Sequence, residues 1–91
     1  MGAVAQTIHD KLTAAFSPTR LEVQDDSARH HGHSGSRPGG ESHFNLVIES
    51  PQFEGKSRLA RQRAVLSALA DELAGPVHAL SITARAPGEA A

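Results

Sequence analysis

The residues in this sequence best equipped for chemistry are histidines. His30, His31 and His33 crowd into a glycine-rich stretch, and His78 stands far downstream, at the head of Pro76-Val77-His78-Ala79-Leu80-Ser81-Ile82. Neutral imidazole binds zinc, copper, iron and nickel. His30 and His33 are separated by two residues, one of them Gly32, and can chelate. A site made from this loop alone lacks the remaining ligands of a closed structural centre, and histidines in polar loops are often merely solvated. His78 improves the case. Two histidines cannot close a tetrahedral site, but they can complete one iron of a two-iron cluster when another protein supplies thiolates, as in Rieske-type ligation. Of the other two histidines, His9 falls off the apolar stripe of its helix and is expected at the surface. His43 opens a strand and is expected to be structural, bonding loop backbone.

A second cluster is cationic. Lys56, Arg58, Arg61 and Arg63 lie at the start of a predicted helix, while Asp71 and Glu72 lie near its end. This order opposes the helix dipole, and each misplaced charge costs a few tenths of a kcal/mol, up to roughly 1, at an exposed helix end. Two readings weigh about equally: a solvated helix that tolerates the cost because salt screens it, or a basic end that faces an anionic partner. Gln62 falls among Leu59, Leu66 and Leu69 and is expected at the edge of the core.

Catalysis finds little support. The chain has no cysteine, hence no thiol nucleophile, thiolate metal site or disulfide framework. No spacing singles out a triad, and no phosphate loop or GxGxxG is present.

These residues must be positioned by a small number of elements. Val4, Ile8, Leu12 and Ala15/Phe16 recur at helical spacing, predicting a helix from Ala3 to Phe16 that Ser17-Pro18 ends. Leu21 to Asp25 alternates and predicts a short strand. Residues 28–41, broken by Gly32, Gly35, Pro38, Gly39 and Gly40, predict a flexible loop, of a length that is usually functional or disordered. Phe44, Leu46 and Ile48 alternate with polar partners, predicting a strand from Ser42 or His43 to Ser50 that Pro51 stops. Phe53-Glu54-Gly55 predicts a turn with one buried aromatic. Ser57 is the expected N-cap of a second long helix, with Leu59, Leu66, Leu69, Ala70 and Leu73 on its apolar face, and Gly75-Pro76 its stop. Val77 to Arg85 predicts the last strand, and residues 86–91 a frayed tail. The order α-β-β-α-β gives an α/β (α+β) fold: a three-stranded sheet covered by helices on one face.

The chain's 91 residues make one domain, spanning 1–91, with a modest core. Its net charge of −1 exerts no global pull on nucleic acid or acidic membranes. No apolar run approaches a membrane span, and the first residues lack the pattern of a secretory signal, so a soluble cytoplasmic protein is expected. Three Phe and no Trp or Tyr leave few platforms for stacking bases.

Taken together, Gly40-Glu41-Ser42-His43-Phe44, Phe53-Glu54-Gly55-Lys56-Ser57, Arg61-Gln62-Arg63 and Val77-His78-Ala79-Leu80-Ser81-Ile82 resemble the BolA family, in order and spacing, over nearly the whole chain. The His30-His31-Gly32-His33 stretch, followed by Arg37-Pro38-Gly39-Gly40, resembles that family's variable histidine/cysteine loop. The resemblance implies a class II KH-like fold, often with an extra helical turn beside the main helix. It implies a monothiol glutaredoxin as partner, with a two-iron, two-sulfur cluster shared between the two proteins and glutathione, and none bound by the isolated chain. The ligands implied here are His78 and a loop residue, His30 or His33. Two departures stand out. Gln62 takes the place of a histidine common between the two arginines. Only Gly55 stands near the position where nucleic-acid-gripping KH domains carry GXXG. The resemblance also admits a DNA-binding regulator, using Lys56, Arg58, Arg61 and Arg63. An apo monomer without membrane association is expected.

Overall fold

The computed structural model describes residues 2–26 and 42–89. Helix α1, Ala3–Phe16, packs Ala5, Ile8, Leu12 and Phe16 into the core, the three-to-four-residue spacing that one face of a helix requires. It stops where Ser17 takes a left-handed φ of 44°, its N–H bonded to the Thr13 carbonyl at 3.0 Å, ahead of Pro18.

Strand β1, Arg20–Asp25, runs antiparallel to β2, His43–Glu49, in the register Arg20↔Glu49 to Asp25↔Phe44. β2 is central. Its Phe44, Leu46 and Ile48 are buried, while the residues between them are half-buried on the opposite face. Strand β3, Ala79–Arg85, lies parallel to β2, from His43↔Ala79 to Glu49↔Arg85. A parallel pair needs a crossover. Here it consists of a 3-10 turn at Pro51–Phe53 followed by helices α2, Arg58–Ala68, and α3, Ala70–Ala74. The helices cover one face of the sheet, as the alternating pattern predicts.

The turn carries the expected anchor. Phe53 is fully buried, its ring centroid 5.2 Å from that of Phe16 at a 40° tilt, an arrangement worth ~0.5–1.5 kcal/mol beyond area burial. Ser50, also fully buried, donates to the Phe16 carbonyl at 2.7 Å and accepts from the Gln52 N–H at 3.1 Å. It thereby ties α1 to the start of the crossover.

Several expectations are corrected. The predicted second helix is interrupted at Leu69 (φ −107°, ψ 21°), whose N–H is shared between the Val65 and Leu66 carbonyls. Its core face is carried by Val65 and Leu69, whereas Leu59 and Leu66 are 59% and 37% exposed. Leucine spacing alone misassigns the face, because Ala64, Ala68 and Val65 pack against the core instead. Ser57 does cap the helix, accepting from the Ala60 N–H at 3.1 Å. The break also changes the dipole argument. Asp71 and Glu72 occupy the first turn of α3, where negative charge is favourable. They pair with Lys11 of α1, at 3.5 and 2.9 Å. β3 begins at Ala79 rather than Val77, because the Val77 N–H bonds back to the Glu72 carbonyl at 3.0 Å. The tail does not fray over 86–89: Ala86 is buried, and Glu89 is fastened to α2. Among the described residues, no helix is long and apolar enough to cross a membrane.

Candidate functional site

His78 precedes β3 at one end of the sheet. Its backbone N–H donates to the Ser42 carbonyl at 2.8 Å, and the Ala79 N–H reaches the same oxygen at 3.2 Å. Ser42 is fully buried, so this carbonyl is a rigid anchor for the entry to β3. The Ser42 hydroxyl lies 2.9 Å from His43 Nδ1. The partner at one ring nitrogen sets the tautomer of the imidazole: an Nδ1 that donates to the serine would make Nε2 the basic nitrogen.

His43 and His78 thereby become neighbours. Their ring centroids are 6.4 Å apart and their planes 23° from parallel. The parallel register sets this up, since His43 is opposite Ala79, one residue beyond His78. His43 is half-buried and His78 exposed. A shallow cavity of about 220 Å³, lined by Asp26, His43, Ala79 and Ser81 among others, opens beside His43. The Asp26 N–H bonds the His43 carbonyl at 2.8 Å. Asp26 and Ser42, the two residues between which segment 27–41 runs, are therefore both held at this end of the sheet. His30 and His33, the loop members of the predicted ligand set, lie outside the described residues. Among the described residues, no group of three or more His, Asp or Glu side chains could hold a metal ion. The donor set is imidazole without thiolate. Two imidazoles alone do not close a tetrahedral centre.

The basic cluster is only partly what its sequence suggests. Arg61 is 11% exposed, and its Nη1 and Nη2 donate to the two Glu89 carboxylate oxygens at 2.6 and 2.8 Å. Its Nε donates to the Lys56 carbonyl at 3.0 Å, and Nη1 also donates to the Ala84 carbonyl of β3 at 3.3 Å. Glu89 in turn accepts from the Ala86 N–H at 3.1 Å. The hydrogen bonds from Arg61 first, and then from Ala86, hold the Glu89 carboxyl down at about 2. The carboxylate raises Arg61 in return. Lys56, Arg58 and Arg63 remain exposed. Gln62, half-buried, lines a cavity of about 370 Å³ with Arg58, Arg61, Arg85, Glu89 and the second half of β3.

Neither the nearness of His43 to His78 nor the Arg61–Glu89 pair is expected from the sequence. For Glu89 a signal existed: Pro87-Gly88 is a turn dipeptide, and Gly88 takes the left-handed φ of 85° that such a turn requires. The nearness of His43 to His78 depends on strand order and register, which one sequence does not print.

The profile of the BolA-like protein family matches residues 12–89. Human "BolA-like protein 1" is 46% identical over 89 residues, covering 98% of this chain. This chain spans 62% of that relative's length. The "DNA-binding transcriptional regulator BolA" of Escherichia coli is 46% identical over 79 residues, 87% of this chain and 71% of the relative. Among solved structures, the BolA domain of SufE1 from Arabidopsis thaliana superposes with a TM-score of 0.88 at 43% identity, covering 99% of both chains.

Proposed function

The chain belongs to the BolA-like family, and on that footing we propose that it is a non-enzymatic partner of a monothiol glutaredoxin, with which it shares a two-iron, two-sulfur cluster in iron–sulfur assembly, trafficking or iron regulation. One observation supports this reading above the others. His78 and His43 stand together at the end of the sheet where the segment carrying His30 and His33 departs and returns. The chain brings nitrogen donors and no thiolate, so the partner's cysteine and glutathione must supply the sulfur ligands. When bound, the cluster supplies electron-transfer or iron-donor chemistry. The chain's part is to present His78 on a fixed backbone, to offer a second imidazole from His30, His33 or His43, and to set the His43 tautomer through Ser42. In this reading the isolated chain is a monomer, holds no cluster by itself, and works in the cytoplasm.

The test is anaerobic reconstitution with a monothiol glutaredoxin, iron, sulfide and glutathione, followed by visible absorption and circular dichroism. Wild type should change the glutaredoxin cluster spectrum and His78→Ala should not. His43→Ala and the double change His30→Ala/His33→Ala identify the second ligand. A glutaredoxin spectrum left untouched by the wild-type chain rejects the reading.

A second reading, a DNA-binding regulator, is favoured by the name of the Escherichia coli relative and by the exposed Lys56, Arg58 and Arg63. Arg61 is paired with Glu89, which a phosphate contacting it would have to displace. The lone Gly55 and the net charge of −1 also weigh against it. Binding through several phosphates weakens steeply with salt; a flat response eliminates this reading.

A further inference from the structure

We propose that the cleft between α2 and the open edge of β3 is a receptor for a phosphate-class oxyanion, and that the chain's own Glu89 is the competitor seated in it. The site is separate from the histidines. It lies at the far end of the seven-residue strand β3, roughly 20 Å from His78 at ~3.3 Å per residue.

The seat is already formed. Arg61 holds a carboxylate through two parallel N–H···O bonds, with the Ala86 N–H as a third donor. A guanidinium fork recognises phosphate by the same bidentate geometry as carboxylate. Charge then favours the more highly charged ligand. Three guanidiniums, Arg58, Arg61 and Arg85, line the cavity against one carboxylate, Glu89, which leaves two positive charges in excess even with Glu89 in place. Glu49, opposite Arg85 in the β2–β3 register, does not line the cavity, and its carboxylate accepts from the Thr19 hydroxyl at 2.8 Å.

Arg85 supplies an independent observation. Its Nε is buried and has no hydrogen-bond partner among the described residues. A buried donor left unpaired is costly, and Arg85 is among the residues that line the cleft. The cavity, about 370 Å³, falls within the ~300–1,000 Å³ of small-ligand sites. Glu89 suits the role of a displaceable plug. It follows the Pro87-Gly88 turn, and its side chain is 42% exposed.

The experiment titrates the full chain with inorganic pyrophosphate at low salt, reading backbone amide and arginine Nε–H resonances by NMR. The signals of Arg61, Arg85 and Ala86 should move together. Glu89→Gln should bind roughly fivefold tighter, and Arg58→Gln, at an exposed position outside the core, roughly threefold weaker, as expected when single charges in such a site are removed. A single-stranded oligonucleotide run in parallel distinguishes the sources of the phosphate. Movement of the same resonances with a steep salt dependence identifies a nucleic-acid backbone; movement with pyrophosphate alone identifies a free phosphorylated small molecule. Either result upholds the site. The proposal is overturned if neither probe moves Arg85 and Ala86, or if Glu89→Gln binds no tighter than wild type. None of these readouts depends on iron or glutaredoxin, so failure here leaves the cluster reading standing.

Discussion

The imidazoles of His43 and His78 lie 6.4 Å apart, centroid to centroid, and nearly parallel. One buried serine joins them: its carbonyl fixes the His78 backbone, and its hydroxyl meets the His43 ring. A strand end that opposes the entry of a parallel neighbour thus brings together two side chains separated by more than a helix and a turn in sequence.

Ser42 should therefore act through His43. Ser42→Ala keeps the carbonyl that anchors His78 and removes the hydroxyl that meets Nδ1. The His43 tautomer populations should shift while the His78 amide resonance stays in place, which long-range 15N NMR of the imidazoles reads directly. Unchanged His43 tautomers would show that the serine contact is incidental.

The core face of α2 is tested by a pair of leucines. Leu69 is 1% exposed and Leu59 59% exposed. Leu69→Ala should cost ~2–5 kcal/mol, and Leu59→Ala no more than ~0.5 kcal/mol, measured by urea unfolding. Equal costs would restore the face that leucine spacing alone predicts.

Ser50→Ala removes a buried hydroxyl and strands the Phe16 carbonyl. Leaving a buried acceptor unpaired costs ~1–3 kcal/mol. Thermal unfolding should show the loss, and a variant as stable as wild type would mean that another donor takes over.

The Arg61–Glu89 pair predicts an acid limb of stability. The Glu89 carboxyl is lowered from its ordinary 4.5 to about 2 in the folded chain. A carboxyl lowered by folding adds stability that is fully present above the unfolded value and lost as pH falls through the folded one. The pair's contribution should therefore be complete above about 4.5 and fade toward 2. Glu89→Gln should flatten that part of a melting-temperature-versus-pH curve relative to wild type. Parallel curves for the two proteins would contradict the assignment.

The elements were legible where local patterns decide them. The apolar spacing of α1, the alternation of β2, the Ser57 cap and the Phe53 anchor all rest on neighbours within a few residues, and all stand in the structure. The misreadings share another origin. Leu59 and Leu66 look like core until tertiary packing selects Val65 instead. Asp71 and Glu72 look misplaced until the break at Leu69 makes them a first turn. Arg61 looks like part of a free basic patch until Glu89, 28 residues on, folds back to it. The candidate site divides in the same way. His78 is visible as the head of a strand, but its pairing with His43 is a property of the parallel register.

The most direct measurement of the central claim is pulsed EPR of the reduced cluster formed by this chain and a monothiol glutaredoxin, with the chain carrying 15N-labelled histidine. Hyperfine coupling to 15N should appear for wild type and vanish or fall to a single weaker coupling in His78→Ala. A wild-type spectrum free of 15N coupling, or one that His78→Ala leaves unchanged, contradicts the account.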